Sequence, residues 1–142
     1  MTIVDSNVTS QIIKQEQSDA GMLHFFNHIA VVEFNEGLHL DLNSGRKTIN
    51  DLMNFFGNTK PFGLIANRVN SYSISLLETP EVKSIFPNMV AYGIVSHNEA
   101  GRMNAIIESS FCSSDNISYD NLYEALDTVN KRVQDKIMMS LN

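Results

Sequence analysis

Cysteine occurs once in this 142-residue chain, at Cys112, and tryptophan is absent. A single cysteine excludes an intrachain disulfide framework and any cysteine-rich metal cluster. Proline occurs three times and glycine seven times, too few for a collagen-like or low-complexity chain. Charge is also scarce: 18% of residues are charged, against roughly 25% in an average soluble domain. Ten basic and sixteen acidic residues leave a net charge of −6. That balance argues against a general nucleic-acid binder, because phosphate backbones are held by Lys and Arg. The longest aliphatic stretch is Ile29-Ala30-Val31-Val32, far short of the roughly 18 residues a membrane span needs. Residues 1–19 lack a basic start followed by an apolar segment, so they do not read as a secretory signal. The expectation is a cytoplasmic chain with no membrane span, whose sequons at Asn7 and Asn116 are idle.

What the chain does have is a hydrophobic fraction of 43%, with eight Phe and seven Met. This rules out disorder and suffices for one core. Residues 1–20 are polar and weakly periodic, and are expected as an N-terminal arm, free or docked through Ile12 and Ile13. Residues 21–142 are expected as a single domain. Ile29 to Phe34 is β-rich, Asn35-Glu36-Gly37 supplies a turn, and Leu38, Leu40 and Leu42 alternate with His39 and Asp41. These runs predict a hairpin, with Leu23–Phe26 as an earlier strand. Ile49, Leu52, Met53 and Phe56 form a helical stripe capped by Asn43 or Ser44 and ended by Gly57.

Phe62–Ala66 and Met89–Val95 suit buried strands. Thr79-Pro80-Glu81 reads as the start of a short helix closed by Pro87. A helix opened by Ser96 or Asn98 carries Met103, Ile106, Ile107 and Phe111. Residues 112–118 form an edge strand, and Leu122, Leu126, Val129, Val133 and Ile137 stripe the last helix. Strands alternating with helices predict an α/β fold: a mixed, mostly parallel sheet flanked by about four helices.

No motif names a reaction. Ser44-Gly45-Arg46-Lys47 matches S-x-x-K without its companion motifs. Cys112 has no cationic neighbour in sequence to make it a thiolate. His24 and His28, and His39 and Asp41, have ligand-like spacings but no third ligand, so neither metal nor cofactor is expected. One segment concentrates polar chemistry directly after a predicted strand: Asn67, Arg68, Asn70, Ser71, Tyr72 and Ser73, in the loop 67–75. The carboxyl ends of strands are where α/β sheets place their sites. A guanidinium, carboxamides, a phenol and hydroxyls suit an anion, a polar ligand or a partner surface. His97 follows the next parallel strand, and is expected to approach Arg68 if the two strands are neighbours.

Pro61-Phe62-Gly63-Leu64-Ile65-Ala66-Asn67-Arg68-Val69-Asn70-Ser71-Tyr72-Ser73, with Ala91-Tyr92-Gly93-Ile94-Val95-Ser96 and Glu36 to Leu42, resembles small bacterial proteins with a SpoIIAA-like, or STAS/SEC14-like, fold. The resemblance covers about residues 25–130. It implies a mixed sheet flanked by helices and a non-enzymatic domain that docks on other proteins. In the anti-sigma-factor antagonists of this fold a serine after the central strand is phosphorylated by a partner kinase. By position Ser71 or Ser73 is the equivalent, although those antagonists carry Asp-Ser-Ser-Gly where this chain has Asn-Ser-Tyr-Ser.

The functional expectation is therefore a regulatory or protein-interaction domain that meets an unknown protein partner through the loop 67–75. The alternative is a small-molecule or anion-binding domain using Arg68 and its Asn and Ser neighbours. A homodimer through an apolar helix face is a third expectation about partners.

Overall fold

The computed structural model describes residues 1–112 and 118–141, with side chains for all of these except 106–112. Three antiparallel or leading strands come first: β1 (Lys14–Ser18), β2 (Gly21–Phe25) and β3 (Ile29–Phe34). Then follow β4 (His39–Leu40), α1 (Arg46–Phe56), β5 (Phe62–Arg68), β6 (Ser73–Ile74), α2 (Thr79–Ile85), β7 (Met89–Ser96), α3 (Glu99–Cys112), β8 (Ser118–Tyr119) and α4 (Leu122–Ser140). Six strands form one sheet in the order β1-β2-β3-β5-β7-β8. The β1–β2 and β2–β3 pairs are antiparallel, and β3–β5, β5–β7 and β7–β8 are parallel. The protein is thus α/β, with a mixed, mostly parallel sheet and four α-helices among the described residues. None of these helices is long and apolar enough to cross a membrane.

The hairpin differs from its sequence prediction. β3 turns back onto β2, closed by the Phe26 N–H donating to the Ile29 carbonyl at 2.8 Å. The run 38–42 instead leaves the sheet. Its two-residue strand β4 pairs in parallel with β6, forming a separate two-stranded ribbon. Leu38 and Leu40 pack into the core beside Phe34 and Tyr72, so burial of these leucines is satisfied without pairing to β3. The N-terminal segment is built in: β1 is the edge strand, and Ile3 is fully buried on the α4 side of the sheet.

Each face of the sheet is covered differently. Val31, Ile65 and Val95 face Leu122, Ala125, Val129 and Val133 of α4, which is the stripe expected from sequence with Ala125 added. Asn121 caps this helix by accepting from the Tyr123 and Glu124 N–H groups. The opposite face carries α1, α2 and α3. There Phe55, Phe25, Phe56, Phe62 and Phe86 form a ladder of stacked and edge-on rings 4.2 to 5.8 Å apart. Such pairs add to the burial of large apolar rings.

Helix starts depart from the predictions. The N-cap of α1 is Gly45, without a side-chain cap, because Ser44 Oγ is engaged with the Asp41 N–H and the His39 carbonyl in the preceding turn. Thr79 is the first residue of α2 rather than its cap. Asn98 does cap α3, accepting from the Gly101 N–H at 2.7 Å. Met103, expected on the buried face, is 59% exposed. Ile106, Ile107, Phe111 and most of the predicted 112–118 strand lie outside the described side chains.

Close approach of α4 depends on Gly63. A Cβ at Gly63 would lie 2.2 Å from Val129 Cγ1 and 3.3 Å from Val133 Cγ2. Gly63→Ala is therefore expected to cost about 1–3 kcal/mol by overpacking, read from the urea midpoint. Val129→Ala in the same chain should recover part of that loss, because the two sites are in contact. Strictly additive costs would show that the clash is relieved elsewhere.

Candidate functional site

β5 runs on to Arg68, two residues beyond the predicted Phe62–Ala66, and this decides where the polar segment points. Consecutive strand residues face opposite sides of a sheet. Asn67 therefore faces the α4 side and Arg68 the α1–α2 side, so they belong to separate environments. Both are buried, at 1% and 6% exposure.

On the α4 side Asn67 joins a polar network around Glu33. The Glu33 carboxylate accepts from the Ile3 N–H at 2.9 Å, from Asn67 Nδ2 at 2.7 Å and from His24 Nε2 at 3.0 Å. His24 Nδ1 in turn accepts from Gln15 Nε2 at 2.9 Å. Asn67 Nδ2 also donates to the Met1 carbonyl, and Asn67 Oδ1 accepts from His97 Nε2 at 2.8 Å. His97 thus meets Asn67 rather than Arg68. Burial alone would raise Glu33, but the hydrogen bonds from His24, Ile3 and Asn67 outweigh it and hold the carboxyl below its ordinary value of 4.5. Burial lowers His97 below its ordinary 6.5, with Glu33 opposing.

On the other side Arg68 folds over Tyr72. Its guanidinium lies 4.2 Å from the ring centroid, and Nη2 donates to the Tyr72 carbonyl at 2.6 Å. Asn70 Nδ2 donates to the Phe34 carbonyl at 3.0 Å, and the Ser71 N–H donates to Glu36 Oε2 at 2.6 Å. Asn67, Arg68 and Asn70 therefore spend their polar groups inside the protein. The loop alternates: Tyr72 and Ile74 face inward, while Ser71 and Ser73 are exposed. Ser73 Oγ shares a 2.7 Å hydrogen bond with exposed His39 Nδ1 across the β4–β6 ribbon.

The inward side of this loop walls a cavity of about 360 Å3. Val32, Leu64 and Tyr92 of the sheet, Leu52 of α1 and Val82 of α2 supply its apolar surface, with Tyr72 and Ile74 from the loop. Half-buried Asp41 and Glu78 and exposed Lys83 stand at its lip, with the hydroxyl residues Thr48, Ser75 and Thr79. Glu78 Oε2 accepts from the Leu42 N–H at 2.7 Å, which joins the α2 side of the lip to the β4 side. Sequence reasoning missed these residues. Apolar positions that line a cavity and apolar positions that fill a core have the same periodicity. Glu33 was the detectable omission, as a lone carboxylate inside the apolar run 29–34.

The other candidates separate. Ser44 bonds the backbone of its own turn, and Lys47 pairs with Asp51 at 2.8 Å and Glu16 at 3.6 Å. Cys112 ends α3, and its side chain lies outside the described residues. Among the described residues no three His, Cys, Asp or Glu side chains are placed to hold a metal ion. In comparisons with known proteins the chain matches no family model, no curated protein and no solved structure.

Two outcomes follow from the buried polar groups. Arg68→Lys removes the planar stack on Tyr72 and is expected to cost about 1–3 kcal/mol in urea unfolding. A cost within scatter would mean that the loop does not depend on the guanidinium. The pH dependence of stability should fall in two stages. His97 and His28 have lowered folded values, so their contribution is complete above pH 6.5 and is lost as pH falls below it. Glu33 is also lowered, so its contribution is complete above 4.5 and is lost as pH falls through the folded value. His97→Gln should shrink the first stage and Glu33→Gln the second, measured as denaturation midpoint against pH.

Proposed function

We propose that this chain is a non-enzymatic regulatory domain that binds a small, largely apolar molecule in the cavity beneath the loop 67–75. The observation that carries this reading is the cavity itself. It is a concavity of about 360 Å3, within the range of small-molecule sites. Its walls are mostly aliphatic and aromatic, with a few polar groups at the lip, the usual composition of such sites.

Of the two sequence readings, small-molecule binding becomes the leading one, in a changed form. Arg68 is committed to Tyr72, so the cavity rather than a guanidinium supplies the binding surface. Partner docking remains part of the proposal through the outer edge of the same loop. Tyr72 and Ile74 touch the cavity, while Ser71 and Ser73 between and beside them face outward. An occupant that shifts the inner residues moves the outer ones, which gives a partner something to read. The SpoIIAA-like, STAS/SEC14-like resemblance belongs to the same proposal. It is supported by the mostly parallel sheet and by the place of the loop after β5, and it accords with a regulatory domain without catalytic machinery.

Neutral apolar probes such as 1-octanol or indole should raise the melting temperature in a saturable way. At about a hundred times Kd the gain is on the order of 2.7 kcal/mol. Leu64→Phe, which fills part of the cavity, should abolish the shift while leaving a folded protein with a cooperative melt. Unchanged melting temperature across such probes would remove the cavity as a ligand site.

A further inference from the structure

The lip of the cavity is charged unevenly, and this bears on which ligands enter. Three charged side chains line it: Asp41, Glu78 and Lys83. Asp41 and Glu78 are half-buried, whereas Lys83 is exposed. Asp41 Oδ1 accepts from the Ser44 N–H, and Glu78 Oε2 from the Leu42 N–H. Each contact anchors a carboxylate, and with the Ser44 N–H Asp41 also receives hydrogen bonds from the Ser44 hydroxyl and the Asn43 N–H that hold its carboxyl below the ordinary value. Two anchored carboxylates thus stand where the apolar walls end, and the single opposing cation is solvated on a flexible stem, where its field is screened.

We propose that the cavity takes an amphipathic amine: an apolar body with a terminal ammonium that sits between Asp41 and Glu78. This inference rests on the cavity being a ligand site and adds the class of ligand. The apolar walls provide no discrimination among head groups, because the hydrophobic effect is non-directional. The lip provides it. An ammonium brings favourable charge to both carboxylates and three donors for charge-assisted hydrogen bonds to their oxygens. A carboxylate head meets like charge on two sides. The net charge of −6 acts in the same direction at longer range, raising the local concentration of cations. A neutral alcohol has donors without the charge and falls between the two.

The test compares octylamine, 1-octanol and octanoate by isothermal titration calorimetry at neutral pH and low salt, with wild-type protein and three variants. Octylamine is expected to bind about tenfold tighter than octanoate, with 1-octanol between them. Glu78→Gln keeps an oxygen that can accept from the Leu42 N–H. It should weaken octylamine about three- to fivefold and leave 1-octanol within about twofold. Leu64→Phe should abolish binding of all three, which separates the cavity from non-specific attraction of amines to an acidic protein. Lys83→Ala should leave octylamine binding unchanged or tighter. Equal affinities for the three probes, or octanoate binding tightest and losing affinity in Lys83→Ala, would overturn the amine preference and leave the cavity reading standing. Octylamine binding that survives Leu64→Phe also overturns it. Absence of binding by any probe overturns the cavity reading and this inference with it.

Discussion

A central sheet has two apolar faces, and both must be withdrawn from water. The rest of this structure depends on how unequally the chain meets that requirement. One face is closed by a single long helix, α4, which lies close against β5 and β7. Gly63 and Gly93 leave room for Val129 and Tyr119 there, since a Cβ at either position would meet those side chains within 3.1 Å. The other face is covered by shorter pieces, and α2 has only seven residues. The phenylalanine ladder fills the space beneath the C-terminal end of α1, through Phe55 and Phe56. Between the start of α1, α2 and the β4–β6 ribbon the covering pieces do not fill the space they enclose. The cavity is what remains when short elements span a face that a long helix would have sealed.

Buried polar groups tie down the segments on each face of the sheet. Glu33 ties β2, β5 and the N-terminal segment together through His24, Asn67 and the Ile3 N–H. A buried carboxylate is tolerable because all of these donors are supplied. Arg68 performs the corresponding task on the opposite face, clamping the loop by its stack on Tyr72 and its bond to the Tyr72 carbonyl. Asn67 and Arg68 are adjacent in sequence yet serve different layers. The loop that forms the outer boundary of the cavity is therefore held by side-chain bonds as well as by the short ladder from Leu38 and Leu40 to Ser73 and Ser75.

Much of the fold was legible in the residues. The α4 stripe, the α1 stripe with its end at Gly57, and the strands β5 and β7 follow from local periodicity and punctuation. Their burial decides their conformation almost regardless of what they pack against. The hairpin was misassigned for a reason of the same kind. Alternation at Leu38, Leu40 and Leu42 indicates a half-buried extended segment, but does not say which strand it joins. Here Leu38 and Leu40 bury themselves against Phe34 and Tyr72, and β2 takes the place beside β3. The candidate site was legible only as a location. Asn67 to Ser73 was correctly placed at the carboxyl end of a strand, but two more residues of strand reverse the sense of Asn67 and Arg68. Asp41 precedes α1, whereas Glu78 and Lys83 belong to the start and body of α2, and no local pattern joins the two stretches.

By itself, the sequence determined the class of the protein: an α/β domain with no disulfide framework, little charge, and a polar segment following a buried strand. These properties depend on composition and on periods of two and 3.6 residues, which are local. The tertiary structure alone decided that the polar segment turns inward, that Glu33 has its donors, and that the loop walls a cavity while Arg68 is committed to Tyr72. Each of these depends on side chains from distant positions meeting in space. The physical reason is that a void is a property of how lengths and volumes of packed elements fit together, and no single element carries a record of the space it fails to fill.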